Sequence, residues 1–266
     1  LQVIGYTAVT AMRTLALSLA AAGALLVAWS QPIAAQSPGA PDITASWLRQ
    51  GFTVGVRSTG QQGPAAPPPA PPPPLKQPYL KQWQDRIQQI READAKGQPI
   101  ATNAVACLPE GMPGMMTATF PMEILQSRGQ ITIIEEAYTQ VRRILMDRPQ
   151  QKLDDIEPGF YGHSVGRWEE DTLIVDTIGV KENVRYQNVP HSKEMRITER
   201  MQLKAPDVLW NEITITDPTV FEKPWTFTFA YQKMKDYTLL EYICEDNREF
   251  ADDQGRQKIR VDPPQR

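Results

Sequence analysis

Histidine and cysteine are scarce in this chain of 266 residues, with two of each, and the scarcity narrows the chemistry at once. A metal site built from a local motif needs closely spaced ligands, and neither H-x-H nor H-x-x-x-H spacing occurs. An excess of one charge is missing as well, since 28 Lys and Arg stand against 31 Asp and Glu, a net charge of −3. Both signs are interspersed along the chain, which excludes the basic footprint of a nucleic-acid-binding surface and a cationic patch for anionic lipid. The apolar run at residues 15–27 is too short to span a bilayer comfortably.

What is present around that run has the order of a secretory signal: Met12 and Arg13 before it, and Pro32-Ile33-Ala34-Ala35 with small residues after it. The expectation is translation from Met12, cleavage near Ala35 or Gln36, and a mature protein in the periplasm of a Gram-negative bacterium or secreted. No cysteine follows the run to carry a lipid, and no membrane insertion is expected after cleavage. In an oxidising compartment Cys107 and Cys244 read as one disulfide, two buried free thiols being the alternative.

The rest of the chain divides by composition. Residues 36–63 form a short N-terminal segment whose Pro41-Asp42-Ile43-Thr44-Ala45-Ser46-Trp47-Leu48 is too short to fold alone, but can lend one strand or a packing tryptophan. Residues 64–78 are proline-rich and read as an extended spacer. Leu80, Trp83, Ile87 and Ile90 recur at helical spacing between Pro78 and Gly97, which predicts one amphipathic helix over 79–96. Three methionines in the loop 108–116 either line a pocket or fill gaps.

From residue 121 onward the pattern is strand after strand: 122–126, 130–136, 139–146, two strands flanking Glu170, then 195–203, 208–216, 225–234 and 238–245. The folded domain over 79–250 is therefore expected to be mainly all-β. It reads as an antiparallel meander closed into a calycin- or lipocalin-like barrel with one N-terminal helix, followed by a polar tail over 251–266. Closure is preferred over an open sheet because it leaves no exposed edge. A barrel of this size can hold one ligand.

Gly162-His163-Ser164-Val165-Gly166 spells the G-x-S-x-G of a nucleophile elbow. An elbow needs a buried strand before it and a helix after it. Here a Pro-Gly turn precedes the motif, and a strand, a tight turn and a second strand follow it. A two-residue turn at Glu170-Asp171 pairs Glu169 with Thr172 and Val165 with Asp176. His163, Val165, Arg167 and Asp176 then share one face, and Ser164 points to the other, away from its neighbouring imidazole. A serine hydrolase using Ser164 or Ser192 is accordingly the least favoured function.

The same alternation marks Glu199 as a carboxylate interrupting the apolar face of Met195, Ile197, Met201 and Leu203. Its partner is either a catalytic site or an arginine such as Arg143. His163, Asp176, His191 and Glu199 are the candidate catalytic residues, with an imidazole oriented by a carboxylate as the acid–base pair. A metal at His163 and His191 is the lesser possibility, and no other cofactor is expected. Arg143, Tyr161, Arg167, Trp225 and Phe227 are the candidate ligand-binding residues, the last two belonging to a one-faced aromatic stripe that is either core or cavity wall.

The run from Tyr161 to Thr177, with Pro190-His191-Ser192, Thr198-Glu199-Arg200, Asp217-Pro218 and Lys223-Pro224-Trp225, resembles a group of uncharacterised exported bacterial proteins. Pro41-Asp42-Ile43-Thr44, Cys107-Leu108-Pro109 and Glu241-Tyr242-Ile243-Cys244-Glu245 match the group too. The resemblance implies a secreted, predominantly β protein and no assigned activity. One departure is Glu170, which stands where the group's hairpin has glycine.

The function expected from these readings is the binding of a small apolar or aromatic molecule in the barrel. The alternative is a cofactor-independent lyase or isomerase working through the His and carboxylate groups.

Overall fold

The computed structural model of the chain describes residues 39–50, 67–101, 107–117, 120–242 and 249–259. The chain divides into two units, Leu1–Ala35 and Gln36–Arg266, and every described residue belongs to the second. The expected signal segment and Cys244 lie outside the described residues.

Among the described residues nine strands close into one barrel: β1 Ala45–Arg49, β2 Met122–Ser127, β3 Gln130–Glu135, β4 Gln140–Met146, β5 His163–Glu169, β6 Thr172–Ile178, β7 Arg196–Ala205, β8 Val208–Thr216 and β9 Trp225–Met234. Neighbours in sequence are neighbours in space, and β9 returns to β1 to complete the wall. The alternation that predicts strands also selects the lumen. Ile131, Ile133, Ile144, Leu173, Val175, Ile197, Met201, Leu209 and Ile213 are buried on the inward face.

Two features depart from a simple antiparallel meander. First, β4 and β5 run parallel, paired only at Ile144, Leu145 and Met146 with Ser164, Val165 and Gly166. Residues 147–162 carry the chain back along the barrel before β5 begins, as a parallel pair requires. Gly166 makes this seam possible, since a Cβ there would sit 2.7 Å from Ile144 Cγ2 and 2.9 Å from Met146 Sδ. Gly162 is equally constrained, with φ +63° and Ile178 O 2.4 Å from where its Cβ would lie. Both glycines of the G-x-S-x-G run are thus explained by close packing, Gly166 against side chains and Gly162 against a main-chain carbonyl.

Second, the strand expected over 238–245 is absent from 238–242, which is irregular. The edge of β9 that it would have paired is already occupied by β1, so no ladder of hydrogen bonds is left to gain. Instead Glu136 accepts hydrogen bonds from Tyr237 Oη (2.6 Å) and Leu240 N (2.8 Å). The N-terminal segment therefore supplies the closing strand and also a packing tryptophan. Trp47 is fully buried, and its indole N–H donates to Ile43 O at 3.0 Å.

The helix α1 spans Tyr79–Ala95, within one residue of expectation. It lies against the body rather than in it: Tyr79, Leu80 and Trp83 of its first turns touch the core, and none of its residues is fully buried. Trp83 Nε1 donates to Gln187 O at 3.1 Å, tying α1 to the β6–β7 loop. The proline-rich stretch is more than a spacer. Leu75 bridges Phe221, Lys76 N donates to Val220 O (2.9 Å), and Pro71 O accepts the Trp225 indole N–H (2.8 Å). The polar tail begins with a small hairpin, β10 Glu249–Ala251 and β11 Gln257–Ile259. Among the described residues no helix is long and apolar enough to cross a membrane.

Candidate functional site

The hairpin β5–β6 has the expected register: Glu169 pairs Thr172, Trp168 pairs Leu173, and Val165 pairs Asp176. Glu170 takes φ +54° at the first turn position, a left-handed conformation that glycine adopts without penalty. His163 and Asp176 consequently lie on the outer face, joined by Gln150. His163 Nδ1 meets Gln150 Oε1 at 2.7 Å, and Gln150 Nε2 donates to Asp176 Oδ2 at 3.0 Å. Asp176 is then saturated by Arg196, which engages both its oxygens through Nε and Nη2.

Ser164 faces the lumen and is 3% exposed. Its hydroxyl accepts from Arg142 Nε (3.3 Å) and Nη2 (3.2 Å) and lies 2.8 Å from Thr177 Oγ1. Held by a guanidinium, with the neighbouring imidazole on the other side of the wall, it has no base beside it among the described residues. Ser192 is a loop anchor, its Oγ donating to Asp217 Oδ1 at 2.9 Å.

Glu199 is the inward carboxylate that alternation predicts, and both it and its arginine have fully buried side chains. The partner is Arg142, not Arg143. Arg143 points outward and is exposed, because Gln140, Arg142, Ile144 and Met146 are the inward residues of β4. Arg142 Nη1 donates to Glu199 Oε1 at 3.1 Å and Nη2 engages Oε2. Since β4 and β7 are not neighbours in the wall, this arginine reaches across the lumen. Asn211 Nδ2 completes the set with a 2.9 Å bond to Glu199 Oε1.

The four candidate catalytic residues are not brought together. Glu199 is inside, His163 and Asp176 are outside, and His191 sits in the β6–β7 loop with both ring nitrogens against main-chain carbonyls, Ser192 O (2.9 Å) and Val184 O (2.8 Å). No lone pair of His191 is turned toward a substrate or metal. Among the described residues no group of three or more His, Cys, Asp or Glu is placed to hold a metal ion. Arg167 is exposed and pairs with Glu169 on its own strand. Cys107 is engaged rather than free, at the start of the segment 107–117.

A different polar cluster lies in the lumen, under the mouth closed by the short helix α2 Gly114–Thr117. Glu135 is fully buried; its Oε2 accepts from Gln140 Nε2 at 2.7 Å, and Gln140 Oε1 accepts from Tyr161 Oη at 3.3 Å. Burial, reinforced by the nearby Glu110 charge, pushes the Glu135 carboxyl up to about 9. Burial and Glu135 together push the Tyr161 phenol up to about 12. Tyr231 donates to Met116 O, and Arg49 Nη1 donates to Thr117 O while lying 4.9 Å from the Phe229 ring centroid. Among the described residues, Glu135 Oε1 and Asn211 Oδ1 are buried side-chain oxygens without a hydrogen-bond partner.

The aromatic stripe forms one side of this mouth. Trp225 and Phe227 are buried, with centroids 5.0 Å apart, and Phe229 continues the row at 5.5 Å. The Tyr186 ring, from the β6–β7 loop, covers them at 5.8 Å from Trp225 and 5.4 Å from Phe227. Beside it is a void of about 10 Å³ lined by Met112, Tyr186, His191, Phe221 and Trp225 among others, room for about one water. Met112, Met115 and Met116 are buried around the mouth, flexible thioethers that repack readily.

Sequence reasoning missed Glu135, Asn211 and Tyr186. The first two carry the signal that reveals Glu199: each is the polar member of an inward apolar row, Ile131-Ile133-Glu135 and Leu209-Asn211-Ile213-Ile215. Tyr186 lies in a loop with no periodicity to betray it.

These elements define a closed, nine-stranded, mainly antiparallel barrel with a polar set inside an aromatic-walled mouth. Compared with models of known protein families the chain matches none. It also matches no curated protein.

Proposed function

We propose that this is an exported barrel protein that binds one small aromatic molecule in the mouth of its lumen, against Trp225 and Phe227. The observation that carries the reading is the Tyr186 ring, an aromatic occupant laid over that wall by a loop rather than by the barrel. Its loop holds two consecutive left-handed residues, Gln187 (φ 51°) and Asn188 (φ 61°), and such conformations cost free energy that surrounding contacts must offset. Swinging the ring out leaves a planar, apolar slot flanked by methionines able to adjust and widen it. Export is supported by the charge, apolar core and small-residue order of residues 12–35. A disulfide between Cys107 and Cys244 would tether the segment bearing α2, which closes the mouth.

The test is titration of the mature chain with the neutral fluorophore N-phenyl-1-naphthylamine. Saturable binding of one molecule per chain is expected, tightened in Tyr186→Ala and weakened in Tyr186→Trp, with circular dichroism confirming that both variants fold. Emission that rises without saturation, or saturable binding indifferent to both variants, overturns the reading.

A further inference from the structure

We infer that the natural occupant of this mouth is a neutral aromatic alcohol or phenol, recognised through its hydroxyl by Glu135 and Asn211. The inference rests on the binding reading above and adds the chemistry of the ligand.

The lumen excludes ions by its charge balance. Arg142 and Glu199 neutralise one another within it, and Arg49 and Glu110 attract one another at the rim. A charged ligand would have to shed its water for a low-dielectric interior in which, among the described residues, these charges already answer one another, which is costly.

The two groups without partners are complementary. Asn211 Nδ2 must face Glu199 Oε1, 2.9 Å away, because its own oxygen would repel that carboxylate. This fixes the amide and leaves Oδ1 as an acceptor without a donor. Glu135 Oε2 is occupied by Gln140 Nε2. As the neutral acid that its burial enforces, Glu135 carries its proton on Oε1 and becomes a donor without an acceptor. Both groups stand near the Tyr231 hydroxyl, whose own proton goes to Met116 O and so satisfies neither of them. One acceptor and one donor are both satisfied by a hydroxyl. A ketone serves only Glu135, a hydrocarbon serves neither, and a carboxylate meets the lone pairs of Asn211. Tyr186 is an internal example of the ring class, a phenol resting on Trp225 and Phe227.

The experiment is calorimetric titration of the mature chain with benzyl alcohol, ethylbenzene and benzoate, which share a ring and differ in the polar group. Benzyl alcohol is expected to bind about ten-fold more tightly than ethylbenzene, as one or two hydrogen bonds require, and benzoate is expected not to bind. Asn211→Leu and Glu135→Leu should each erase most of the preference while leaving ethylbenzene within about three-fold. Glu135→Gln, whose amide can still donate, should retain it. Equal binding of alcohol and hydrocarbon, or tightest binding of benzoate, overturns the hydroxyl inference and leaves the mouth as a binding site. Failure of all three while N-phenyl-1-naphthylamine binds overturns the inference alone. Failure of all four overturns both readings.

Discussion

Two arginine–carboxylate pairs stand on opposite faces of the same wall, Arg142–Glu199 in the lumen and Arg196–Asp176 outside. Their carboxylates are neighbours across one ladder, since Val175 pairs Glu199 and Asp176 pairs Thr198. The inner pair is fully buried, whereas the Arg196 side chain is 53% exposed. Water reaches the outer pair through Arg196 and screens it, although the Asp176 side chain is only 12% exposed. Inside, nothing can replace a lost partner, so the inner pair is obligatory even where its net contribution is small.

The largest test breaks the inner pair. Arg142→Met leaves Glu199 as a buried charge without its counterion and should cost about 3–5 kcal/mol, read by urea unfolding. Arg142→Met combined with Glu199→Leu should recover most of that loss.

A second inner carboxylate sharpens the comparison through pH. Glu135 is raised from 4.5 to about 9 in the folded chain, so the native state binds more protons than the unfolded chain between those values. Stability should therefore fall as pH rises from about 4.5 to about 9 and level off beyond. Glu135→Gln should flatten this slope. Unfolding titrations at pH 5, 7 and 9 that show the same slope in both proteins would refute the assignment.

The hairpin carrying both faces offers a smaller effect. Glu170→Gly relieves a left-handed φ of 54° and should stabilise by about 1 kcal/mol, seen as a raised Tm with both ion pairs intact. Smallest of all, Asp176→Asn on the outer wall should cost less than about 1 kcal/mol and shrink further at high salt. A loss as large as that of Arg142→Met would erase the distinction between the two faces.

Much of this is legible in residue order. Period-two alternation predicts the strands, the inward Glu199 and the register of β5–β6, because side-chain direction in a strand is local geometry. It also predicts that Ser164 and His163 cannot cooperate. Alternation is silent about which strands meet. Arg143 is as good a sequence candidate as Arg142 until β4 is placed with Gln140 and Ile144 inward. The segments 36–63 and 238–245 compete equally for the closing edge until β1 is seen to hold it. The candidate site was less visible than the fold, since Glu135 comes from β3, Asn211 from β8, Tyr186 from a loop and Met116 from a four-residue helix. Only closure of the barrel brings them together.

The amino-acid sequence by itself determined the all-β class, the leading helix, the hairpin register and the failure of the nucleophile elbow, all properties carried by residues within a few positions of one another. Tertiary structure alone decided the parallel β4–β5 seam, the arginine that crosses the lumen, and the burial inside one barrel of two side-chain oxygens without partners, Glu135 Oε1 and Asn211 Oδ1. Those depend on contacts between residues tens of positions apart, whose pairing is set by the packing and burial of the whole barrel.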